Sequence, residues 1–238
     1  MRRLPVIIAL IAVAPTSYAS SNITTLGAAG QSDFRLLSED LGSALSYKPL
    51  TPTAPLGVTG FDIGLDVTDT EIKNKTAWNL VTNNNAPSSL VIPKIHVFKG
   101  LPLGFDIGAF YAAVPSSNIK LWGAELRYAL LKGGISEPAI GVRASYTKLQ
   151  GVDQLDFNTK GLDISISKGF AMFTPYAGLG RVWVDSTPVG VPTLQAEKFS
   201  QPKYYVGANL NFAIINFAIE ADKTGDDTTY GVKLGWRF

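Results

Sequence analysis

The chain has one histidine and no cysteine, so few side chains are available for nucleophilic or redox chemistry. Without cysteine there is no thiolate nucleophile, no disulfide and no Cys-ligated zinc or iron–sulfur site. A histidine beside an aspartate can activate a nucleophile, but no serine lies near His96 on the strand face that it is predicted to share. The sequence therefore leans against an enzyme, and we predict no catalytic residue, metal or cofactor.

The remaining reactive residues are acids and bases that alternate with apolar or aromatic residues. Asp62 and Asp66 fall between Phe61, Ile63 and Leu65, and Lys233 falls between Val232 and Leu234. Such alternation puts charge on one face of a strand and apolar side chains on the other. The predicted inward, lumenal set is Asp62, Asp66, Lys94, His96, Asp106, Glu125, Arg127, Arg143, Glu220 and Lys233.

Tight hairpins would bring these charges together in pairs. The strand parities predict that Asp106 faces Arg127, His96 faces Asp106, Glu220 faces Lys233 and Glu125 faces Arg143. Two interpretations stay open. The charges either form a constriction that selects solutes or form compensated ion pairs that stiffen the interior.

The elements that carry these residues are predicted to be strands, because the hydrophobic period from residue 58 onward is two. Gly178 and Gly180 indicate a bulge in the seventh strand. The predicted strands are 58–67, 90–98, 103–114, 119–130, 140–149, 160–168, 173–185, 203–213, 216–224 and a last strand that ends at 238. Their connections alternate between short turns and longer loops, of which 68–89 and 186–202 are long and polar.

The composition is consistent with strands that are apolar on one face and polar on the other: 17% of residues are charged, 46% are hydrophobic and 23 are glycine. No apolar run reaches the roughly 18 residues of a spanning helix, so a helical membrane protein is excluded. No basic run or Lys/Arg-rich face indicates a nucleic-acid partner.

Residues 1–19 have the order of a secretory signal peptide. Arg2 and Arg3 precede an apolar stretch, and Ser17 to Ala19 supply small residues for cleavage after Ala19. Removing Arg2 and Arg3 from the 21 basic residues leaves 19 against 19 acidic residues, so the predicted mature chain has no net charge with histidine neutral.

The signal peptide, the amphipathic strands and the terminal pattern resemble Gram-negative outer-membrane β-barrel proteins. The pattern is Tyr230, Val232, Leu234, Trp236 and Phe238, which in that class forms the signature for the barrel-assembly machinery. The resemblance covers residues 58–238 and implies an outer-membrane location, with membrane lipid and that machinery as partners. The predicted fold is an all-β transmembrane antiparallel barrel of about ten strands with a short N-terminal helix, and eight or twelve strands stay open.

Residues 20–57 precede the barrel. Residues 20–31 are small and polar and are predicted to be flexible, and the prolines of residues 48–55 end any helix. Phe34, Leu37, Leu41 and Leu45 have helical spacing. The helix is either a plug or lid at the periplasmic mouth or an interfacial or frayed helix. Inward glycines either open space for such an insert or for water, or relieve curvature.

Three functions remain open from the sequence. The first is a narrow or gated channel for an unidentified small solute, suggested by the glycine-lined, charged lumen. The second is a non-conducting structural barrel, or one that binds through its long loops. The third, a membrane-embedded hydrolase, has only His96 as a candidate base.

Overall fold

The computed structural model describes residues 25–113 and 118–238. Within these residues, ten antiparallel strands close into one barrel, so the predicted ten-stranded architecture is confirmed. The strands are β1 Phe61–Glu71, β2 Ser89–Gly100, β3 Phe105–Ala113, β4 Lys120–Lys132, β5 Ala139–Gln150, β6 Leu155–Ser167, β7 Phe173–Pro188, β8 Glu197–Phe212, β9 Ile215–Thr224 and β10 Asp227–Arg237. The helices are α1 Gln31–Leu45 and α2 Lys75–Val81. Neither of these helices is long and apolar enough to cross a membrane. The predicted signal peptide lies outside the described residues.

The wall of the barrel is apolar outside and polar inside. Along β1, exposed residues such as Leu65 alternate with buried ones such as Asp66, and the same alternation runs through β10. The outward side chains Leu65, Val206 and Leu234 are each 60% exposed or more. A water-soluble barrel has the opposite distribution, and outward apolar residues suit contact with lipid.

We call the two ends of the barrel the turn end, where β1 begins and β10 ends, and the loop end. The predicted extent of the long polar loop at 186–202 is wrong. β7 continues to residue 188 and β8 begins at residue 197, so the loop between them is shorter than predicted. The region 68–89 contains α2. β7 pairs in regular register on both sides, and the register shift lies instead between Ala129 and Leu131 in β4.

Residues 25–56 pass through the interior of the barrel, and we call them the internal segment. At the loop end, Thr25 Oγ1 donates to the carbonyl of Val81 at 3.1 Å, and Leu26 N donates to Gln154 Oε1 at 2.9 Å. At the turn end, Leu56 N donates to Asp106 Oδ1 at 3.1 Å, just before β1 begins. The internal segment therefore crosses the whole lumen.

The helix was predicted at the mouth where β1 begins, which is the turn end, and this position is wrong. α1 lies at the loop end, and residues 46–56 lie between it and β1. A proline-rich stretch of this length, at up to roughly 3 Å per residue, is long enough to reach about the thickness of a membrane. The proline-rich linker therefore spans the lumen instead of forming a short hinge below it.

Candidate functional site

The lumen collects the ionic residues of the wall. The ten charged residues predicted to face inward are all buried. Burial of so many charges requires that they are compensated inside the lumen, since an unpaired buried charge costs several kcal/mol. Lys94 lies over an aromatic ring, with Nζ 5.0 Å from the centroid of Phe110. The partners come both from neighbouring strands and from the internal segment.

Asp62 is the centre of the cluster at the turn end. Its Oδ2 lies 2.8 Å from Lys233 Nζ and 3.3 Å from Arg237 Nε. His96 lies between two carboxylates, with Nε2 3.1 Å from Asp62 Oδ1 and Nδ1 2.8 Å from Asp66 Oδ1. The histidine is thus oriented by two aspartates and packs against Phe98.

Asp106 and Arg127 form a two-pronged pair that also fixes the internal segment. Arg127 Nε and Nη2 donate to Asp106 Oδ2 at 3.1 and 2.7 Å. Arg127 Nη1 donates to the carbonyl of Pro52 at 2.7 Å, and the same carboxylate accepts from Leu56 N. This pair therefore connects β3, β4 and the end of the segment.

Arg143 is the centre of a third cluster. Its Nε donates to Asp163 Oδ2 at 3.1 Å, and its Nη2 donates to the hydroxyl of Tyr205 at 2.7 Å. Tyr205 in turn donates to Asp163 Oδ1 at 2.8 Å. Glu125 Oε2 lies 3.5 Å from Arg143 Nη1. The cluster thus links four strands across the lumen.

A fourth cluster contains a lysine of the internal segment itself. Lys48 Nζ lies 2.5 Å from Asp222 Oδ1, and Lys203 Nζ lies 3.4 Å from Asp222 Oδ2. Glu220 Oε2 accepts from Leu50 N at 3.1 Å and from the hydroxyl of Tyr176 at 3.0 Å. The wall charges of β9 are therefore matched by groups that the segment supplies.

The helix α1 packs through the four apolar residues predicted from its spacing. All are 6% exposed or less and join a cluster with wall and loop residues. The four are Phe34, Leu37, Leu41 and Leu45. Ser38 Oγ adds a direct contact to the wall, 2.8 Å from Ser186 Oγ on β7.

Asp40 joins α1 to the loop between β1 and β2. Its Oδ2 accepts from Trp78 Nε1 at 2.8 Å and from Asn74 N at 3.2 Å, and its Oδ1 accepts from Asn74 Nδ2 at 2.6 Å. Burial raises the pKa of the Asp40 carboxyl, against the opposing effect of these hydrogen bonds, and the nearby Glu39 raises it further. α1 and α2 thereby form one packed unit at the loop end.

Inward glycines make room for the internal segment at three positions. A Cβ at Gly60 would clash with the backbone of Leu56. A Cβ at Gly231 would lie 2.8 Å from Leu50 Cδ2, and a Cβ at Gly141 would lie 3.0 Å from Thr53 Cγ2. At other inward glycines the space is filled by aromatic wall residues, as at Gly123, where a Cβ would meet the ring of Phe110. The glycine lining thus accommodates large groups inside the lumen.

Of the four predicted facing pairs, only Asp106 and Arg127 stand in the predicted register. His96 faces Phe110, not Asp106. Glu220 faces Gly231, not Lys233. Glu125 faces Ser145, yet still reaches Arg143 diagonally. Shifts by even numbers keep every side chain on its face, which is why the faces agree while partners differ.

Sequence reasoning missed several residues of the lumen. Lys48 and Asp40 lie in the internal segment, where no strand period marks them as inward. Lys203 is the first residue of the predicted eighth strand, 203–213, and was not included in the predicted lumenal set, although its alternation with Tyr204 was a usable signal. Among the described residues, no group of three or more acidic or histidine side chains is arranged to hold a metal ion.

The residues of the terminal pattern lie on the outer wall. Tyr230, Val232, Leu234 and Trp236 are all exposed on β10, which pairs with both β1 and β9. Phe238 stacks on Phe61 with ring centroids 6.1 Å apart.

Comparison with known proteins finds barrels of the same kind but no sequence family. No family model and no curated protein matches the chain. The N-terminal β-barrel domain of Pseudomonas aeruginosa OprF is similar at 11% identity and a TM-score of 0.40, over 74% of this chain and 97% of that one. The outer membrane protease OmpT of Escherichia coli is similar at 9% identity and 0.38, over 75% and 96%. The outer membrane protein OprG of Pseudomonas aeruginosa is similar at 11% identity and 0.35, over 80% and 99%. Likeness of this degree assigns no activity to this chain.

Proposed function

We propose that the protein is an integral outer-membrane barrel that is closed by its own residues 25–56 and does not conduct while they occupy the lumen. The observation that carries the proposal is the path of the internal segment from the loop end, at Thr25, to the turn end, at Leu56. Its charge and backbone groups complement the wall at Asp222, Glu220 and Asp106. A segment that occupies the lumen from end to end and pairs with its wall obstructs the passage of solutes along it.

The membrane location follows from the outward apolar wall and from the signal-peptide pattern of residues 1–19. In such barrels the short turns face the periplasm and the longer loops face outward. The loop end, with α1 and α2, then faces the cell exterior.

A gated channel is the second candidate, because residues 46–56 are fixed by several hydrogen bonds and an ion pair, which water can replace. If the segment withdrew, a charged lumen enclosed by ten strands would remain. The two candidates differ in whether the segment ever leaves.

Disulfide locking distinguishes them, since the chain has no native cysteine. Thr53 Oγ1 lies 2.8 Å from Ser165 Oγ, so Thr53→Cys with Ser165→Cys ties the segment to β6. The pair Ser38→Cys and Ser186→Cys ties α1 to β7 in the same way. The measurement is the planar-bilayer conductance of each refolded variant, oxidised and reduced.

The closed barrel predicts no conductance in the oxidised variants and none in the reduced ones or the parent. Conductance that appears only on reduction would establish the gated channel instead. Conductance in the oxidised variants would show that the filled lumen is not a seal and would overturn both forms of the proposal.

A further inference from the structure

The outer wall carries an apolar groove that no lumenal function uses. It has a volume of about 720 Å³ and lies across β5 to β10. Its outward lining includes Ile164, Ile166, Ala177, Leu179, Val206 and Ala221.

Alternation of large and small side chains creates this groove. In one cross-strand row, Ile166 lies opposite Ala177, Ala177 opposite Val206, and Val206 opposite Ala221. The two alanines leave channels between the ridges formed by Ile166 and Val206, whose side chains are about half exposed. An acyl chain fits such a channel, because its width is set by single methyl groups.

Three outward cations lie on the loop-end side of the groove, each on a strand that lines it. Lys160 precedes Ile164 on β6, Arg181 follows Leu179 on β7, and Lys223 follows Ala221 on β9. Trp183 lies opposite Lys160, and Tyr204 lies opposite Lys223. Tryptophan and tyrosine concentrate at the membrane–water interface, so the cations lie at headgroup depth.

These cations have no carboxylate partner among the described residues. Arg181 Nη1 donates only to Ser200 Oγ at 2.9 Å, and Lys223 Nζ donates only to the backbone carbonyl of Asp226 at 3.4 Å. Two outer acids near this face have cations of their own, since Asp156 pairs with Lys148 and Asp185 pairs with Lys198. Asp226, whose carbonyl accepts from Lys223, is an exposed acid beside that lysine. The three cations therefore outnumber this neighbouring acid and form no ion pair on the outer face above the groove.

We infer that this surface binds a phosphorylated, multiply acylated glycolipid of the outer leaflet, of the lipid A type. One acyl chain lies in the groove, and the phosphates contact Lys160, Arg181 and Lys223. A single-tailed anion would use the cations without the groove, and a neutral lipid would use the groove without the cations. This inference rests on the proposed membrane location but not on closure of the lumen, so the conductance experiment does not decide it.

The test uses the full barrel refolded in detergent and titrated by native mass spectrometry with bis-phosphorylated lipid A, its dephosphorylated form and phosphatidylglycerol. The main variant is Lys160→Gln with Arg181→Gln and Lys223→Gln. Each cation near an anionic surface contributes roughly a factor of five, so we expect about a hundredfold weaker binding of lipid A. Lys132→Gln, an exposed cation at the turn end, is the matched control and leaves the affinity unchanged.

The groove is tested separately by Ala177→Phe, with the outward Ala124→Phe on β4 as its control. Filling the groove weakens lipid A binding, whereas the control does not. Folding of each variant is checked by heat-dependent gel mobility. If the triple variant does not fold, the three single charge variants replace it, and each is expected to show a smaller loss of lipid A affinity. The inference is overturned if the folded charge variants bind lipid A as the parent does, or if the dephosphorylated lipid or phosphatidylglycerol binds as tightly.

Discussion

Arg127 shows how one buried side chain serves the wall and the internal segment together. Its guanidinium donates to Asp106 on β3 and to the carbonyl of Pro52, so its removal leaves the Pro52 carbonyl without this donor and the Asp106 carboxylate without its cation, with only Leu56 N still donating to it. A buried carboxylate that loses its partner is strongly destabilising, because no water replaces the lost hydrogen bonds fully.

We therefore predict that Arg127→Gln lowers the free energy of unfolding by about 3 kcal/mol or more. Guanidinium unfolding of the barrel in lipid vesicles, followed by tryptophan fluorescence, measures this. The control is Lys148→Gln, because Lys148 pairs with Asp156 at the outer surface and such pairs contribute only about 0–1 kcal/mol. Equal losses in the two variants would contradict the assignment of Arg127 as an anchor.

Gly231 is a second residue whose effect is specific to the segment. Since a Cβ there would lie 2.8 Å from Leu50 Cδ2, we predict that Gly231→Phe pushes residues 46–56 away from β10. Hydrogen exchange of that stretch then speeds up, and adding Leu50→Ala slows it again. Gly134→Phe is the control, because nothing lies within 4 Å of a Cβ at Gly134. Failure of Leu50→Ala to restore protection would rule out a direct steric clash.

At the scale of elements, α1 and α2 form a cap whose contact depends on the protonation of Asp40. Because burial raises the pKa of Asp40, the folded state binds a proton more tightly than the unfolded state does. The resulting stability is complete below the unfolded pKa of about 3.9 and is lost as the pH rises through the folded pKa. Asp227 at the start of β10 adds another negative charge nearby.

We therefore predict that hydrogen-exchange protection of α1 increases as the pH falls from neutrality toward this range. Asp40→Asn keeps one acceptor oxygen, which can take the place of Oδ2 towards Trp78 Nε1 and Asn74 N, whereas its NH2 group replaces Oδ1. The substitution removes the titration, so protection in that variant no longer depends on the protonation of this group. The same pH dependence in parent and variant would assign the effect to another group.

Strand identity and facing could be predicted from the sequence, because a period of two needs only local information. The cross-strand partners of His96 and Glu220 could not be predicted, because register depends on the lengths of the turns. A register shift by an even number of residues changes the partners but leaves every side chain on the same face. The path of the internal segment was also hidden. Lys48 to Leu56 form no hydrogen-bonded ladder, so their position is decided by distant groups such as Asp222 and Asp106.

At the scale of the whole molecule, the two ends of the internal segment are predicted to lie on opposite sides of the membrane. A cysteine at Gln31, exposed at the loop end, should react with a membrane-impermeant maleimide on intact cells. A cysteine at Val58, which is 61% exposed at the turn end, should react only after the outer membrane is opened. The absence of native cysteine makes each label specific. Labelling of both positions, or of Val58 alone, on intact cells would contradict the proposed orientation.

The passage of residues 25–56 through the lumen constrains the order of biogenesis. The barrel closes where β1, the first strand, pairs with β10, the last strand. If the barrel closed before the internal segment was in place, the 15-residue helix α1 would have to be threaded through a narrow lumen lined with charged residues. Assembly in which the leading residues are laid down first, and the sheet then curls about them, avoids that obstacle. The last hairpin to join the sheet then also encloses residues 25–56.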